Sequence, residues 1–241
     1  MRVAVILPAA GLGTRMGRTS PEKAGTSRKQ FMLLEGSPIL LHTIRKFVGC
    51  PMVSEIVVAL RAEETAWAGE MLRREQLTRS VRLVEGGDSR QQSVANALAS
   101  LGPDTELVAV HDAVRPFIDA VTIDKVIQEA ALTGAAIVGV VPVDTVKQVH
   151  RNKIRATLAR ERLILAQTPQ VFRFDLLKEA FERAAADGFN GTDEASLVER
   201  LERVEVSVVP GTDRNIKIAK PGDMELARLF LSQESAARKV S

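Results

Sequence analysis

Short, continuous apolar runs alternate along this chain with longer amphipathic segments. The runs are rich in β-branched residues and lack the apolar–polar alternation of a half-exposed strand, which is typical of strands covered on both faces. They predict strands at 3–7, 55–60, 81–84, 107–110, 136–141 and 204–209. Because strands that alternate with helices are joined by right-handed crossovers, the chain is predicted to form an α/β three-layer sandwich around a mainly parallel sheet.

Helix signals fill the intervals between these runs. Ser37 and Pro38 are the expected N-cap and first residue of a helix that ends near Gly49. Further helices are predicted at 63–77, 89–101, 119–132 and 224–231. The tail beyond residue 231 is expected to fray.

One stretch, at about 142–166, breaks the alternation. It is polar, basic and β-branched, with extended segments on either side of a polar turn at 150–153, and this pattern predicts a β-hairpin. Because an isolated hairpin is only marginally stable in water, we expect this β-arm to lie on a partner and to mediate dimerisation. Residues 1–241 are expected to form a single domain around the sheet, with this β-arm as a subregion.

The charge of the chain bears on its partners. A formal charge of +3 and a pI of about 9.2 are mildly basic, and Lys and Arg are spread along the sequence. This balance favours anionic small molecules over nucleic acid. The absence of Tyr and the single Trp also argue against a stacking surface for single-stranded nucleic acid.

The single cysteine and the apolar runs bear on location. A lone Cys50 excludes an internal disulfide and a multi-cysteine metal site, so a buried thiol in a reducing, cytoplasmic compartment is expected. No apolar run reaches about 18 residues, so no membrane span is expected. The apolar N-terminus soon meets Pro8 and a glycine-rich segment, which favours a buried strand over a signal peptide.

Small residues follow the first strand, and ligands of such sheets bind at the carboxyl ends of strands. Residues 9–13 allow the backbone to approach a polyphosphate closely, and Arg15 adds a positive charge. The P-loop pattern is excluded because no Lys follows in register, and the dinucleotide fingerprint is excluded because Gly17 comes one residue too late. A phosphate-binding loop is therefore predicted, with a glycine turn that binds nothing as the alternative.

Three later segments add polar groups at the same edge. Residues 18–29 form a polar loop ending in two cations, which indicates a lid over a triphosphate. Asp88 follows a Gly-Gly pair and is interpreted either as a base-reading group or as a helix N-cap. Asp112, after a central strand, is a natural ligand for Mg²⁺, and Arg115 can bind an acceptor phosphate. His111 lacks a nucleophile partner and is interpreted as structural.

The ordered set of motifs resembles one family over nearly the whole chain, the 2-C-methyl-D-erythritol 4-phosphate cytidylyltransferases. The motifs are Ala9-Ala10-Gly11-x-Gly13-x-Arg15-Met16, Lys29-Gln30, Gly86-Gly87-Asp88, His111-Asp112-Ala113-x-Arg115-Pro116, Asp144-Thr145-x-Lys147, Gln167-Thr168-Pro169-Gln170, Thr192-Asp193-Glu194-Ala195 and Asn215-Ile216-Lys217. The resemblance implies a Rossmann-like nucleotidyltransferase fold, a homodimer built by the β-arm, Mg²⁺, CTP as donor and a sugar-alcohol phosphate as acceptor.

The resemblance also implies roles for individual residues. The catalytic cations would be Arg15, Lys29, Arg160 and Lys217, and Asp112 would hold the metal. The nucleotide would be bound by Ala9, Ala10, Gly11, Leu12, Gly13, Gly87, Asp88 and Ser93. The acceptor would be bound by Arg115, Thr145, Thr168 and Thr192. If the arms exchange between subunits, Arg160 reaches the partner's site.

The chain departs from the family pattern at three points. Arg28 stands where Pro usually precedes the catalytic Lys, and Ala159 stands where an acidic residue commonly precedes Arg160. The loop before Lys29 is longer than usual, so Lys23 is a rival for its role. Lys29 is preferred because Gln-Phe follows it, as the pattern requires.

Other functions stay open at this point. A ribitol 5-phosphate cytidylyltransferase shares several of the motifs, although 144–147 and 192–196 favour the methylerythritol enzyme. A non-catalytic nucleotide-binding regulator would use the same scaffold, and a basic nucleic-acid binder is suggested only by the pI. In the favoured mechanism a phosphate oxygen of the acceptor attacks the α-phosphorus of CTP in line, and cations stabilise the charge that develops.

Overall fold

The structure is a computed structural model that describes residues 1–11 and 28–240. Its strands are β1 (Val3–Pro8), β2 (Leu33–Leu34), β3 (Ser37–Pro38), β4 (Val53–Leu60), β5 (Val81–Glu85), β6 (Leu107–Val110), β7 (Ala135–Val140), β8 (Lys147–His150), β9 (Lys153–Thr157), β10 (Leu165–Arg173) and β11 (Ser207–Pro210). Its helices are α1 (Ile39–Val48), α2 (Ala62–Arg74), α3 (Arg90–Ala99), α4 (Ala120–Thr133), α5 (Phe174–Ala186), α6 (Glu194–Glu199) and α7 (Pro221–Val240).

A seven-stranded sheet organises the described part of the chain, in the order β11-β7-β10-β6-β1-β4-β5. Strand β10 runs antiparallel to both of its neighbours, and the other pairs are parallel. The predicted mainly parallel sheet is therefore confirmed. The carboxyl ends of β1, β5 and β6 consequently open at one edge of the sheet.

Side chains of β1 alternate between the two faces of the sheet and so join two core layers. Val3, Val5 and Leu7 pack with α1, α2 and α4, whereas Ala4 and Ile6 pack with α3, α5 and α6. These strand residues are all at most 2 % exposed, which explains the absence of polar alternation in the sequence. The predicted three-layer sandwich is confirmed.

The predicted ends of α4 are confirmed, whereas the predicted start of α1 is wrong. The Asp119 side chain caps α4 by accepting a hydrogen bond from Thr122 N, and Gly134 ends the helix in the left-handed conformation. The first helix begins at Ile39, not at Pro38. Ser37 and Pro38 instead pair with β2 as the short strand β3, so the Ser-Pro signal marks a strand just before the helix.

The C-terminal half differs most from the prediction. Strand β10 and helices α5 and α6 were not predicted, and the run at 204–209 forms a strand only at Ser207–Pro210. Strand β10 does not stand out as an apolar run in the sequence, because its centre carries three buried polar residues, Gln167, Thr168 and Gln170. The final helix extends to Val240 instead of ending near residue 231.

The hairpin predicted within 142–166 is present. Strands β8 and β9 pair antiparallel, and Arg151 and Asn152 between them both have positive φ angles, as a two-residue type I′ turn requires. Most of its residues are exposed, including Val149 and Ile154 at 57 % and 66 %. The hairpin thus offers apolar side chains on a segment that lies outside the central sheet.

Among residues 1–11 and 28–240, no helix combines the length and apolar character needed to cross a bilayer.

Candidate active site

Two cavities open at the carboxyl edge of the sheet and share part of their walls. The larger, of about 350 Å³, collects these predicted residues: Ala9, Ala10, Gly11, Lys29, Gly87, Asp88, Ser93, Asp112 and Lys217. The smaller, of about 190 Å³, is lined by Arg115, Thr168 and Thr192, and again by Asp112 and Lys217. Residues predicted from separate strand ends therefore meet in one place.

The backbone after β1 is held by side chains from two other elements. Gln30, which is buried, donates hydrogen bonds from Nε2 to Ala9 O (2.6 Å) and Gly11 O (3.2 Å). Arg61 donates from Nε to Ala10 O at 3.1 Å. These contacts fix the carbonyl groups of the loop and leave its wall of small residues facing the larger cavity.

Lys29 reaches this cavity from the 3-10 turn Lys29–Phe31. Arg28, in the position of the family's usual Pro, forms ion pairs with Glu63 and Glu64 at the start of α2. The turn that carries Lys29 is thereby tied to the helix beside the β1 loop. Arg15, Leu12, Gly13 and the rival Lys23 lie outside the described residues.

The loop after β5 depends on its glycines. A Cβ atom added at Gly86 would lie 2.6 Å from the Ala10 Cβ, so only glycine allows this close approach to the β1 loop. Gly87 N donates a hydrogen bond to Ser93 Oγ at 3.1 Å, and Ser93 Oγ donates to Ser89 O at 2.8 Å. Ser93 therefore shapes the loop as well as lining the cavity.

The N-cap interpretation of Asp88 is wrong. The N-cap of α3 is Ser89, whose Oγ accepts a hydrogen bond from Gln92 N at 3.0 Å. Asp88 instead lines the larger cavity, where its carboxylate is available to a ligand. The sequence alone does not distinguish Ser89 from Asp88 as the cap, because the two residues are adjacent and both are good N-cap residues.

Asp112 lies at the junction of the two cavities and is 7 % exposed. Its Oδ2 lies 2.9 Å from Lys217 Nζ and 3.1 Å from Arg115 Nε, and its Oδ1 lies 3.4 Å from Arg90 Nε. Burial opposes ionisation, but Arg90, Lys217 and Arg115 outweigh it and hold the pKa of Asp112 well below its usual range. The carboxyl group is thus an anion across the physiological pH range.

His111 supports this junction from beneath, as the structural interpretation expects. Burial lowers the pKa of His111 to about 4, so the ring is neutral at physiological pH. Its Nε2 donates to Arg115 O at 3.0 Å, which leaves Nδ1 to accept from the Thr168 hydroxyl at 3.1 Å. Thr168 Oγ1 also accepts from Asp112 N, so Thr168 positions Asp112 in addition to lining the smaller cavity.

A magnesium ion was predicted at Asp112. Within the described ranges, no three His, Cys, Asp or Glu side chains come together as a site made of protein groups alone. Mg²⁺ commonly keeps several waters and binds one or two carboxylates together with substrate phosphates. One carboxylate, that of Asp112, lies in the wall that the two cavities share, which matches the number of protein ligands in this mode.

Of the predicted residues that the structure describes, two line neither cavity. Thr145 and Arg160 are exposed in the β-arm region, where Arg160 Nη1 donates to Val143 O. Conversely, Arg90 lines both cavities and was not predicted. Its partner Glu194 is 104 positions away, a pairing that sequence spacing does not reveal.

Comparison with known proteins points to one family. The family model described as 2-C-methyl-D-erythritol 4-phosphate cytidylyltransferase matches residues 3–233. A relative of that name from Solibacter usitatus is 67 % identical, with each chain covered completely, and one from Acidobacterium capsulatum is 51 % identical over 98 % of this chain and 100 % of its own.

Solved structures agree with the sequence comparison. The 4-diphosphocytidyl-2C-methyl-D-erythritol synthase of Anaerococcus prevotii superposes with a TM-score of 0.82 at 28 % identity, covering 95 % of this chain and 98 % of its own. The 2-C-methyl-D-erythritol 4-phosphate cytidylyltransferase of Francisella tularensis superposes with a TM-score of 0.78 at 32 % identity, covering 95 % and 99 %.

Proposed function

Because the chain belongs to the 2-C-methyl-D-erythritol 4-phosphate cytidylyltransferase family, we propose that its larger cavity binds CTP and its smaller cavity binds the acceptor phosphate. The protein is a nucleotidyltransferase that converts CTP and 2-C-methyl-D-erythritol 4-phosphate to 4-diphosphocytidyl-2-C-methyl-D-erythritol and pyrophosphate, in isoprenoid biosynthesis. The observation that carries the assignment of the cavities is their shared wall of Asp112 and Lys217, which brings two anionic substrates together.

The reaction requires alignment and charge stabilisation. An oxygen of the acceptor phosphate attacks the α-phosphorus of CTP in line, the new P–O bond forms as the bond to the bridging oxygen breaks, and pyrophosphate leaves. The acceptor phosphate is a dianion near neutral pH, so no general base is needed. Arg15 and Lys29 stabilise the charge that grows on the α-phosphate, and Lys217 and Arg115 hold the acceptor phosphate.

Asp112 is the residue that would hold Mg²⁺. When bound, the ion supplies charge neutralisation for the triphosphate and helps to orient it. Support for this role comes from the position of its carboxylate in the wall that the two cavities share.

The β-arm is proposed to build a homodimer. Its support is the exposed apolar set on and beside the hairpin, which an isolated chain leaves in water: Val141, Val143, Val149, Ile154 and Leu165. In such a dimer Thr145 and Arg160 of one subunit would complete the acceptor cavity of the other. A cytoplasmic location is proposed on the basis of Cys50, a buried free thiol that suits a reducing compartment.

Pyrophosphate release tests the function directly. The purified chain is incubated with Mg²⁺ and CTP and with 2-C-methyl-D-erythritol 4-phosphate, ribitol 5-phosphate or no acceptor. We expect release only with the methylerythritol phosphate. Release only with ribitol 5-phosphate would keep the mechanism and change the substrate, whereas no release with either acceptor would leave a nucleotide-binding regulator as the better interpretation.

A further inference from the structure

Arg90 occupies the boundary between the two cavities. It is the first residue of α3, directly after the loop that carries Gly87 and Asp88, and its side chain lines both cavities. Asp112 and Lys217 are the other two residues common to the two linings. Arg90 therefore forms part of the wall between the two cavities.

Glu194 holds the guanidinium group of Arg90 in place. Arg90 Nη1 lies 2.7 Å from Glu194 Oε1, and Nη2 lies 3.0 Å from Oε2, which is a two-point ion pair. The carboxylate of Glu194 is 1 % exposed. The contact from Arg90 Nε to Asp112 is longer, at 3.4 Å, so Glu194 and not Asp112 determines where Arg90 lies.

The position of Glu194 is itself fixed by the wall of the acceptor cavity. Gln170 of β10 donates to Asp193 Oδ2 at 2.7 Å and accepts from Ala195 N at 3.0 Å, so it holds both neighbours of Glu194. Gln91, next to Arg90, accepts from Gly191 N at 2.9 Å. The start of α3 and the segment that carries Thr192 are thereby joined on both sides of the ion pair.

The charges at the junction require a second carboxylate. Arg90, Arg115 and Lys217 are three cations around Asp112, and one carboxylate leaves two of them unbalanced. Glu194 balances Arg90. If Asp112 held a metal ion, Arg90 would still have its two bonds to Glu194, and Arg115 and Lys217 could then pair with the acceptor phosphate.

We propose that the Arg90–Glu194 pair is a positioning device that fixes Asp112 between the cavities and thereby couples the binding of CTP to the binding of the acceptor. The inference rests on the proposed function of the two cavities. Arg90 and Glu194 act through Asp112 and the cavity walls, and neither takes part in bond making. Their removal should weaken the coupling more than it weakens the binding of CTP alone.

The variants are chosen to separate coupling from folding. Glu194→Gln keeps the volume but loses the balancing charge. The double variant Arg90→Met/Glu194→Met removes the whole pair and leaves no unpaired buried charge, so it retains the fold even if the single variant does not. Glu205→Gln is the matched control, because Glu205 is exposed and lies outside both cavities.

The experiment is isothermal titration calorimetry of the full chain in Mg²⁺, with a CTP analogue that has a methylene bridge between the α- and β-phosphates. The titration is repeated with saturating 2-C-methyl-D-erythritol 4-phosphate. In the unmodified chain and in Glu205→Gln, we expect the acceptor to tighten analogue binding by about fivefold or more. In Glu194→Gln and in the double variant, the tightening should fall below about twofold, and in Glu194→Gln the affinity for the analogue alone should stay within about threefold of normal.

The outcomes separate this inference from the proposed function. Normal tightening in the folded double variant would overturn the inference, as would an unmodified chain that binds the analogue without any tightening by the acceptor. An unmodified chain that binds neither compound would instead remove the proposed function. Loss of tightening in Glu205→Gln as well would show a non-specific effect of lost charge and would also overturn the inference.

Discussion

At the scale of single residues, the junction of the cavities is built from groups that neither take up nor release protons near neutral pH. The pKa of Asp112 is held well below its usual range and that of His111 is lowered to about 4, so both keep one protonation state near neutral pH. Asp112 pairs with the surrounding cations, and His111 keeps its hydrogen bonds to the neighbouring groups. Both suit a reaction whose nucleophile is already an anion. In the proposed mechanism, the chemistry therefore depends on where Lys29 and Lys217 place their charges.

Replacing Lys29 tests this dependence. Lys29→Ala removes a cation from the larger cavity, and we expect kcat to fall by about 10²–10³ with Tm little changed, because one charge-stabilising group is lost. Pyrophosphate release and thermal unfolding are the measurements. Lys23→Ala serves as the rival variant and should retain near-normal turnover. A large loss in Lys23→Ala with activity kept in Lys29→Ala would reverse the assignment.

The Cys50 thiol gives a second test at this scale. Burial raises its pKa, as does its hydrogen bond to Asp124 Oδ1 at 3.2 Å, so the reactive thiolate is suppressed in the folded chain. We expect a thiol reagent to label it only as fast as the protein unfolds. As the pH rises, the unfolded chain loses the thiol proton before the folded chain does. The contribution of Cys50 to the free energy of unfolding should therefore decline once the pH exceeds the ordinary pKa of a thiol. Rapid labelling in native buffer would contradict this.

At the scale of the elements, the active edge depends on two loops that approach each other closely. The segment after β1 and the loop after β5 touch at Ala10 and Gly86, where the backbone leaves no room for a side chain. These loops carry the residues proposed to bind the triphosphate and the base. A change in their spacing should therefore affect CTP more than the acceptor.

The Gly86→Ala variant tests this spacing. Its new Cβ would meet the Ala10 Cβ at 2.6 Å and push the loops apart, so we expect the KM for CTP to rise by about tenfold or more. The KM for the acceptor should change far less, as measured by steady-state kinetics. Gly222→Ala is the control, since its Cβ would enter open space. Equal effects of the two substitutions on CTP would remove the argument from close approach.

The elements also show where sequence reasoning succeeds. Strands β1, β4 and β6 are predicted because burial on both faces demands apolar runs, and the residues after them are found together at the site. Strand β10 is missed because its buried polar side chains take partners from distant segments, as when Asn215 Nδ2 donates to Gln167 Oε1. The Arg90–Glu194 pair is missed for the same reason, since tertiary contacts are not encoded in local spacing.

At the scale of the whole molecule, a single chain does not bring together all of the described residues that were predicted for the site. Thr145 and Arg160 lie in the exposed arm and not in the cavities, although the other described predicted residues line them. A dimer with exchanged arms explains both this placement and the apolar side chains that the arm exposes. The proposed quaternary structure therefore predicts that activity depends on assembly.

The arm surface is tested by Ile154→Glu. Ile154 is 66 % exposed in the isolated chain, so the substitution should not disturb the fold, but it places a charge in the proposed interface. We expect a monomer by light scattering and a large loss of kcat, with Tm measured alongside. Lys153→Glu, at the exposed tip of the hairpin, controls for the added charge. A fully active monomer would exclude an essential role for the dimer.

Complementation tests whether the arm acts across subunits. Arg160→Ala and Lys217→Ala are each expected to be nearly inactive. After the two are unfolded and refolded together, half of the molecules are mixed dimers with one intact site, so about a quarter of normal activity should return. If Arg160 serves its own subunit, the mixture stays as inactive as its components.

The antiparallel pairing of β10 with β7 determines how the arm could be removed from the chain. Val140 and Leu165 are paired neighbours at the ends of β7 and β10, so the chain leaves the sheet for the arm and returns almost to the point of departure. The arm is therefore an excursion that a short turn between those two residues could replace. Excision would leave every core strand in register, and the shortened chain would separate the folding of the catalytic frame from its assembly.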